Sequence, residues 1–231
     1  MSATVTAARA APSDPSPLPD PTLKLASLLL QYPTAALFSG LDVLSAAATD
    51  ASPRKAREHL VTFVAWLADT SPEDVARHYV QTFDLRRRCA LYLTYYRYGD
   101  TRNRGMALVE FKNAYRTAGF APREDELPDY LPMVLEFAAL CERGRRLLHG
   151  HRTDLELLRQ ALTAVESPYA EVVAAVSTGL PALGRRELRQ VTSAWQSGPP
   201  TEQVGLEPFA PPDYLAGYGH RESRPAQEPQ S

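Results

Sequence analysis

Cysteine is nearly missing from this chain: 231 residues contain two, Cys89 and Cys141. They stand far apart and form no C-x-x-C pair. A disulfide framework is therefore not expected, and a reducing, cytoplasmic setting is the simpler reading. Each cysteine reads as a small buried hydrophobe on a helix. Long apolar runs are missing too. No stretch approaches the roughly 18 apolar residues of a membrane span, so stable membrane insertion is not expected. The N-terminus, MSATVTAARAAPSDPSPLPD, lacks the apolar segment of a secretory signal. Nor is there an excess of one charge: 25 basic and 27 acidic residues give a formal net charge of −2. That argues against a nucleic-acid partner, which calls for a basic face. Gly-rich phosphate loops, a G-x-S-x-G elbow and H-E-x-x-H are all absent. The closest of the five histidines, His149 and His151, read as cations compensating a helix C-terminus rather than as metal ligands, because no third ligand stands near. No cofactor, metal site or catalytic residue is expected.

Hydrophobic residues make up 44% of the chain, enough for one core. Residues 1–19 are rich in Ala, Ser and Pro without periodicity and read as a disordered tail. From 197 to 231, repeated prolines forbid a long helix, and that stretch reads as a largely irregular tail. Between them, 20–196 reads as one compact all-α domain of about nine or ten helices. Asp20-Pro21, Ser52-Pro53, Ser71-Pro72 and Ser167-Pro168 mark helix starts, the first residue as cap and proline at the first helical position. Thr153-x-x-Glu156 reads as a capping box and Gly119 as a left-handed helix stop. Leu60, Phe63, Val64 and Leu67 repeat at helical spacing, as do Val75, Tyr79 and Phe83, and Leu155, Leu158 and Leu162. The spacing predicts helices over 21–31, 35–48, 53–68, 72–83, 88–97, 102–118, 128–148, 153–166, 168–179 and 184–195. The 89–98 segment, CALYLTYYRY, is β-prone by composition. It is assigned to helix because a lone strand would have nothing to pair with.

Three features stand out on the predicted helices. Arg86, Arg87 and Arg88 form a basic run, ordinarily a solvated face. Tyr92, Tyr95 and Tyr96 fall at i, i+3 and i+4, on one face of a helix; such a face is either a recognition surface or a wet-edged core stripe. Glu124, Asp125, Glu126 and Asp129 precede a long apolar helix, where negative charge suits the helix N-terminus.

Longer blocks carry a resemblance. Tyr79-Val80-Gln81-Thr82-Phe83-Asp84, Arg87-Arg88-Cys89-Ala90-Leu91-Tyr92-Leu93-Thr94-Tyr95-Tyr96, Gly99-Asp100-Thr101-Arg102 and Arg104-Gly105-Met106-Ala107-Leu108 strongly resemble the nitrate reductase molybdenum cofactor assembly chaperones, the NarJ-type or delta-subunit proteins. Glu126-Leu127-Pro128-Asp129-Tyr130-Leu131-Pro132, followed by Leu135-Glu136-Phe137, matches the same family. The resemblance covers about residues 22–180. The wider family of redox-enzyme maturation chaperones carries E-P-x-D-H. Glu126 and Asp129 match its acidic positions, but proline is shifted to Pro128 and Tyr130 replaces the histidine. A role for a titrating imidazole therefore does not carry over.

The resemblance implies an all-α chaperone rather than an enzyme. Its implied partner is the N-terminal segment of the apo catalytic subunit of respiratory nitrate reductase, with molybdenum cofactor delivery proteins as further candidates. Such a chaperone holds the subunit for cofactor insertion, delays membrane docking and is absent from the mature enzyme. The expected peptide-binding groove has Tyr92, Tyr95, Tyr96, Tyr130, Met133 and Phe137 as its apolar walls. Arg88, Glu126, Asp129 and Glu136 are expected near its rim.

Overall fold

Prolines and caps start the helices, as expected at two of the four marked pairs. In the computed structural model, which describes Thr6–Ala7 and residues 20–200, Asp20 accepts from the Thr22 and Leu23 amides at 3.0 and 3.1 Å and opens α1, Pro21–Leu29. Ser71 likewise caps α5, Pro72–Tyr79. Ser52 and Ser167 do not cap. Ser52 instead trades bonds with the Thr22 hydroxyl, and the Ser167 hydroxyl meets His78 at 2.8 Å. The expected Thr153–Glu156 box does not form: α10, Arg152–Ala164, starts one residue earlier, and Glu156 pairs with Arg159. Gly119 is the left-handed stop, at φ 77°, after α7, Asn103–Thr117.

Twelve α-helices form among the described residues. Besides those named, they are α2 (Ala35–Ser39), α3 (Leu41–Thr49), α4 (Arg54–Asp69), α6 (Tyr95–Tyr98), α8 (Leu131–Leu140), α9 (Glu142–Gly150), α11 (Tyr169–Thr178) and α12 (Arg185–Ser197). The spacings at 60–67, 75–83 and 155–162 bury as read. Helix α8 lies at the centre, buried at nine of its ten residues, from Leu131 through Ala139. A helix apolar all round belongs inside. It packs against α1 on one side and α9 on the other; α4 packs on α11 and α3, and α12 closes over α10. Tyr169 is the hub of an aromatic cluster, with the Phe63, Trp66, His78, Tyr79 and Phe83 rings all within 5.9 Å of it.

Three predicted helices are broken. The 35–48 helix divides at Gly40 into α2 and α3. The 128–148 helix divides at Cys141, which is extended at φ −154° and ψ 157°. There the chain doubles back, and Gly144 of α9 sits so close to Phe137 that a Cβ would lie 2.4 Å from the Phe137 carbonyl oxygen. The 88–97 helix is the third. A 3-10 turn at Arg87–Cys89 leads into extended chain, and helix resumes only at Tyr95.

A two-residue ladder pairs Thr6–Ala7 (β1) antiparallel with Phe120–Ala121 (β2). The rest of the expected N-terminal tail, and residues 201–231 of the C-terminal one, lie outside the described residues.

Candidate functional site

The broken 88–97 helix builds the site. Along it Cys89, Leu91 and Leu93 are buried while Ala90 and Tyr92 are less so, a period of two that belongs to a strand. Its partner is the acidic segment before α8. Leu93 donates to the Asp129 carbonyl at 3.1 Å and Leu131 to the Leu91 carbonyl at 2.7 Å, so Tyr92 and Tyr130 face each other as an antiparallel bridge. Residues between the paired backbone bonds hold their side chains closest. The two rings lie 5.7 Å apart, both half-buried.

Around this pair the polar groups are ordered. Tyr92 donates to Glu126 at 3.0 Å. The Tyr130 hydroxyl is 3.4 Å from that of Tyr79, which donates to the Leu30 carbonyl at 3.2 Å. Burial pushes the phenols of Tyr92, Tyr130 and Tyr79 upward, and Glu126 adds to the rise at the first two, so all three remain protonated donors at neutral pH. The exposed Tyr32 ring stands edge-on to Tyr79 at 5.5 Å. A row of tyrosines thus runs from Tyr32 through Tyr79 and Tyr130 to Tyr92.

Beneath it, Asp129 is completely buried. One carboxylate oxygen, Oδ2, accepts from the Thr94 amide at 3.0 Å and the Thr94 hydroxyl at 2.6 Å. Arg104 lies 3.7 Å away, its guanidinium between the Tyr92 and Tyr95 rings at 5.5 and 5.6 Å. Asp129 Oδ1 and Arg104 Nη2 are buried without a hydrogen-bond partner. Both atoms are closed off from the surface and belong to one buried ion pair, Arg104 Nη2 lying 3.7 Å from Asp129 Oδ2.

The ten predicted residues separate accordingly. Tyr92, Tyr130, Glu126 and Asp129 come together. Tyr95 is buried and takes a hydrogen bond from Arg87 at 2.7 Å. Tyr96 is buried, donating to the Arg88 and Ala90 carbonyls, with its ring 6.3 Å from that of Tyr95; Tyr92 lies outside the helix that holds these two, so the three do not share one helix face. Met133 and Phe137 are fully buried in the core, Phe137 against Tyr115 at 4.4 Å. Glu136 is nearly buried and pairs with Lys24 of α1. Arg88 points to Trp195, whose carbonyl it meets at 3.1 Å. Tyr32, Thr94 and Arg104 join the candidate site without being expected there. Thr94 and Arg104 stood inside the family blocks, which was the available signal; nothing marked Tyr32.

Among the described residues, no three His, Cys, Asp or Glu side chains are grouped to hold a metal ion. The candidate site is a small aromatic and polar surface on a helical scaffold. The family model of the nitrate reductase delta subunit matches residues 49–175, and the chain belongs to that family. It is 37% identical over 168 residues to the Bacillus subtilis protein NarJ, named a probable nitrate reductase molybdenum cofactor assembly chaperone, covering 72% of this chain and 91% of that one. It is 44% identical over 159 residues to the Mycobacterium tuberculosis nitrate reductase-like protein NarX, covering 68% of this chain but only 24% of that much longer protein. The fold is shared with a crystal structure described as a redox enzyme maturation protein from Archaeoglobus fulgidus, at a TM-score of 0.53 and 21% identity, covering 69% of this chain and 92% of that one.

Proposed function

We propose that this chain is an assembly chaperone for a respiratory nitrate reductase, acting in the cytoplasm through the helical domain at 20–196. It binds the N-terminal segment of the apo catalytic subunit and holds the subunit open to molybdenum cofactor insertion. It delays docking at the membrane and leaves before the enzyme is mature. It catalyses no bond change. Delivery proteins for the molybdenum cofactor are its further partners. The observation that carries the reading is the half-buried Tyr92–Tyr130 pair beside Glu126, set on the buried Asp129–Arg104 pair. Tyrosine rings give apolar contact area with a polar tip, and the part-exposed Glu126 carboxylate at their edge gives a bound backbone somewhere to bond. Family membership and the name of the Bacillus relative support the choice of client. Met133 and Phe137 support this surface from inside rather than lining it.

Titration with a synthetic peptide of the client's N-terminus tests the reading. Tyr92→Ala and Tyr130→Ala each weaken binding by about thirtyfold, the ~2 kcal/mol of an interface anchor, with little change in melting temperature. Unchanged affinity in both variants would remove the site from this face.

A further inference from the structure

A second surface lies at the other end of the arginine run. Between the Arg86–Cys89 turn, the C-terminal end of α10 and α12 is a cleft of about 400 Å³. Its floor is Cys89, Ala161, Ala164 and Val165, and one wall is the half-buried Trp195 ring. Ala161 and Ala164 fall at i, i+3 on α10, and their short side chains leave the trough unfilled. Arg88 holds the wall in place: its guanidinium lies 5.2 Å over the Trp195 ring and donates to the Trp195 carbonyl.

The charge on this cleft is one-sided. Arg87 is engaged by Asp100 at 2.7 Å and by Tyr95. Among the described residues, Arg86 and Arg88 meet no carboxylate and no acidic residue lines the cleft. An apolar floor below two unneutralised guanidiniums is complementary to an apolar side chain with acid beside it. A compact anion suits it poorly, because the arginines are exposed at one wall, where salt screens them, and the floor side chains offer no amide or hydroxyl. We infer that this cleft is a docking site for a protein partner's segment in which a bulky apolar side chain is flanked by carboxylates. It shares neither Tyr92 nor Tyr130 with the surface proposed for the client peptide.

The test uses the full chain carrying Trp66→Phe, so that Trp195 is the sole indole, and follows its emission. The probe is a synthetic amphipathic peptide with Leu and Phe on one face and Glu on the other. Saturable binding is expected, weakening as salt is raised. It should fall at least about tenfold in Ala164→Glu, which fills and acidifies the trough, and several-fold in Arg86→Gln. Both positions are exposed, and unchanged melting curves would show that the fold is kept. No response of Trp195, equal binding of a peptide with Lys in place of Glu, or full affinity in Ala164→Glu would each overturn the inference. So would a two-chain mass by light scattering that drops to one chain in Ala164→Glu, since that gives the cleft to a second copy. Binding seen only after truncation at Pro200 would give it to the chain's own end and overturn the inference too.

Discussion

Asp129 illustrates what a residue's neighbours in sequence hide. Ahead of a long apolar helix, its carboxylate suggests a solvated charge favouring the helix N-terminus. It is instead fully buried, holding both the amide and hydroxyl of Thr94, a residue 35 positions earlier. The acidic positions of the family motif were legible in the sequence; the role of Asp129 as the tie between two chain segments was not, because spacing carries no information about a distant amide. Replacing it strands both Thr94 donors and, among the described residues, leaves the Arg104 charge with only Asp100, 3.8 Å away, as a carboxylate partner. Asp129→Ala is therefore expected to cost about 3 kcal/mol, the range for breaking a buried charged hydrogen-bond set. Urea unfolding measures it, and a loss below about 1 kcal/mol would show that water replaces the carboxylate at no great cost.

Elements with one strong periodicity were read well, and those where two signals compete were not. Helix α4 buries Leu60, Phe63, Val64 and Leu67 as their spacing demanded. The 89–98 segment has a strand's composition, and assigning it to helix rested on the lack of a partner strand. The partner is a single residue, Tyr130, in what the sequence presents as a helix start. An isolated bridge leaves no run of alternating residues to detect on its second side. The turn at Cys141 is hidden for another reason: no proline marks it, and the close approach to the Phe137–Ala138 backbone that follows it is permitted by the missing Cβ of Gly144. Gly144→Ala puts a methyl group where the α8 backbone already stands. It is expected to destabilise the fold by about 1–3 kcal/mol, lowering the melting temperature by roughly 3–10 °C. An unchanged melting temperature would mean that α9 can slide along α8 freely.

At the scale of the molecule, the all-α chain and its family are legible in the sequence, while the arrangement of the candidate surface needs the tertiary structure. The predicted groove placed two helix faces opposite each other. What forms is a backbone bridge with a tyrosine row beside it, and Met133, Phe137, Tyr95 and Tyr96 belong to the buried interior. A rigid helical body presenting a small aromatic surface can bind a client segment without chemistry of its own. If that is its work, its effect shows in the client. The most direct measurement is the molybdenum content of the nitrate reductase catalytic subunit purified from the source cells with and without this chain. Without the chain the subunit is expected to be largely empty of molybdenum, with loading restored by the wild type but poorly by the Tyr92→Ala, Tyr130→Ala double variant. A subunit fully loaded in the absence of the chain would contradict this expectation.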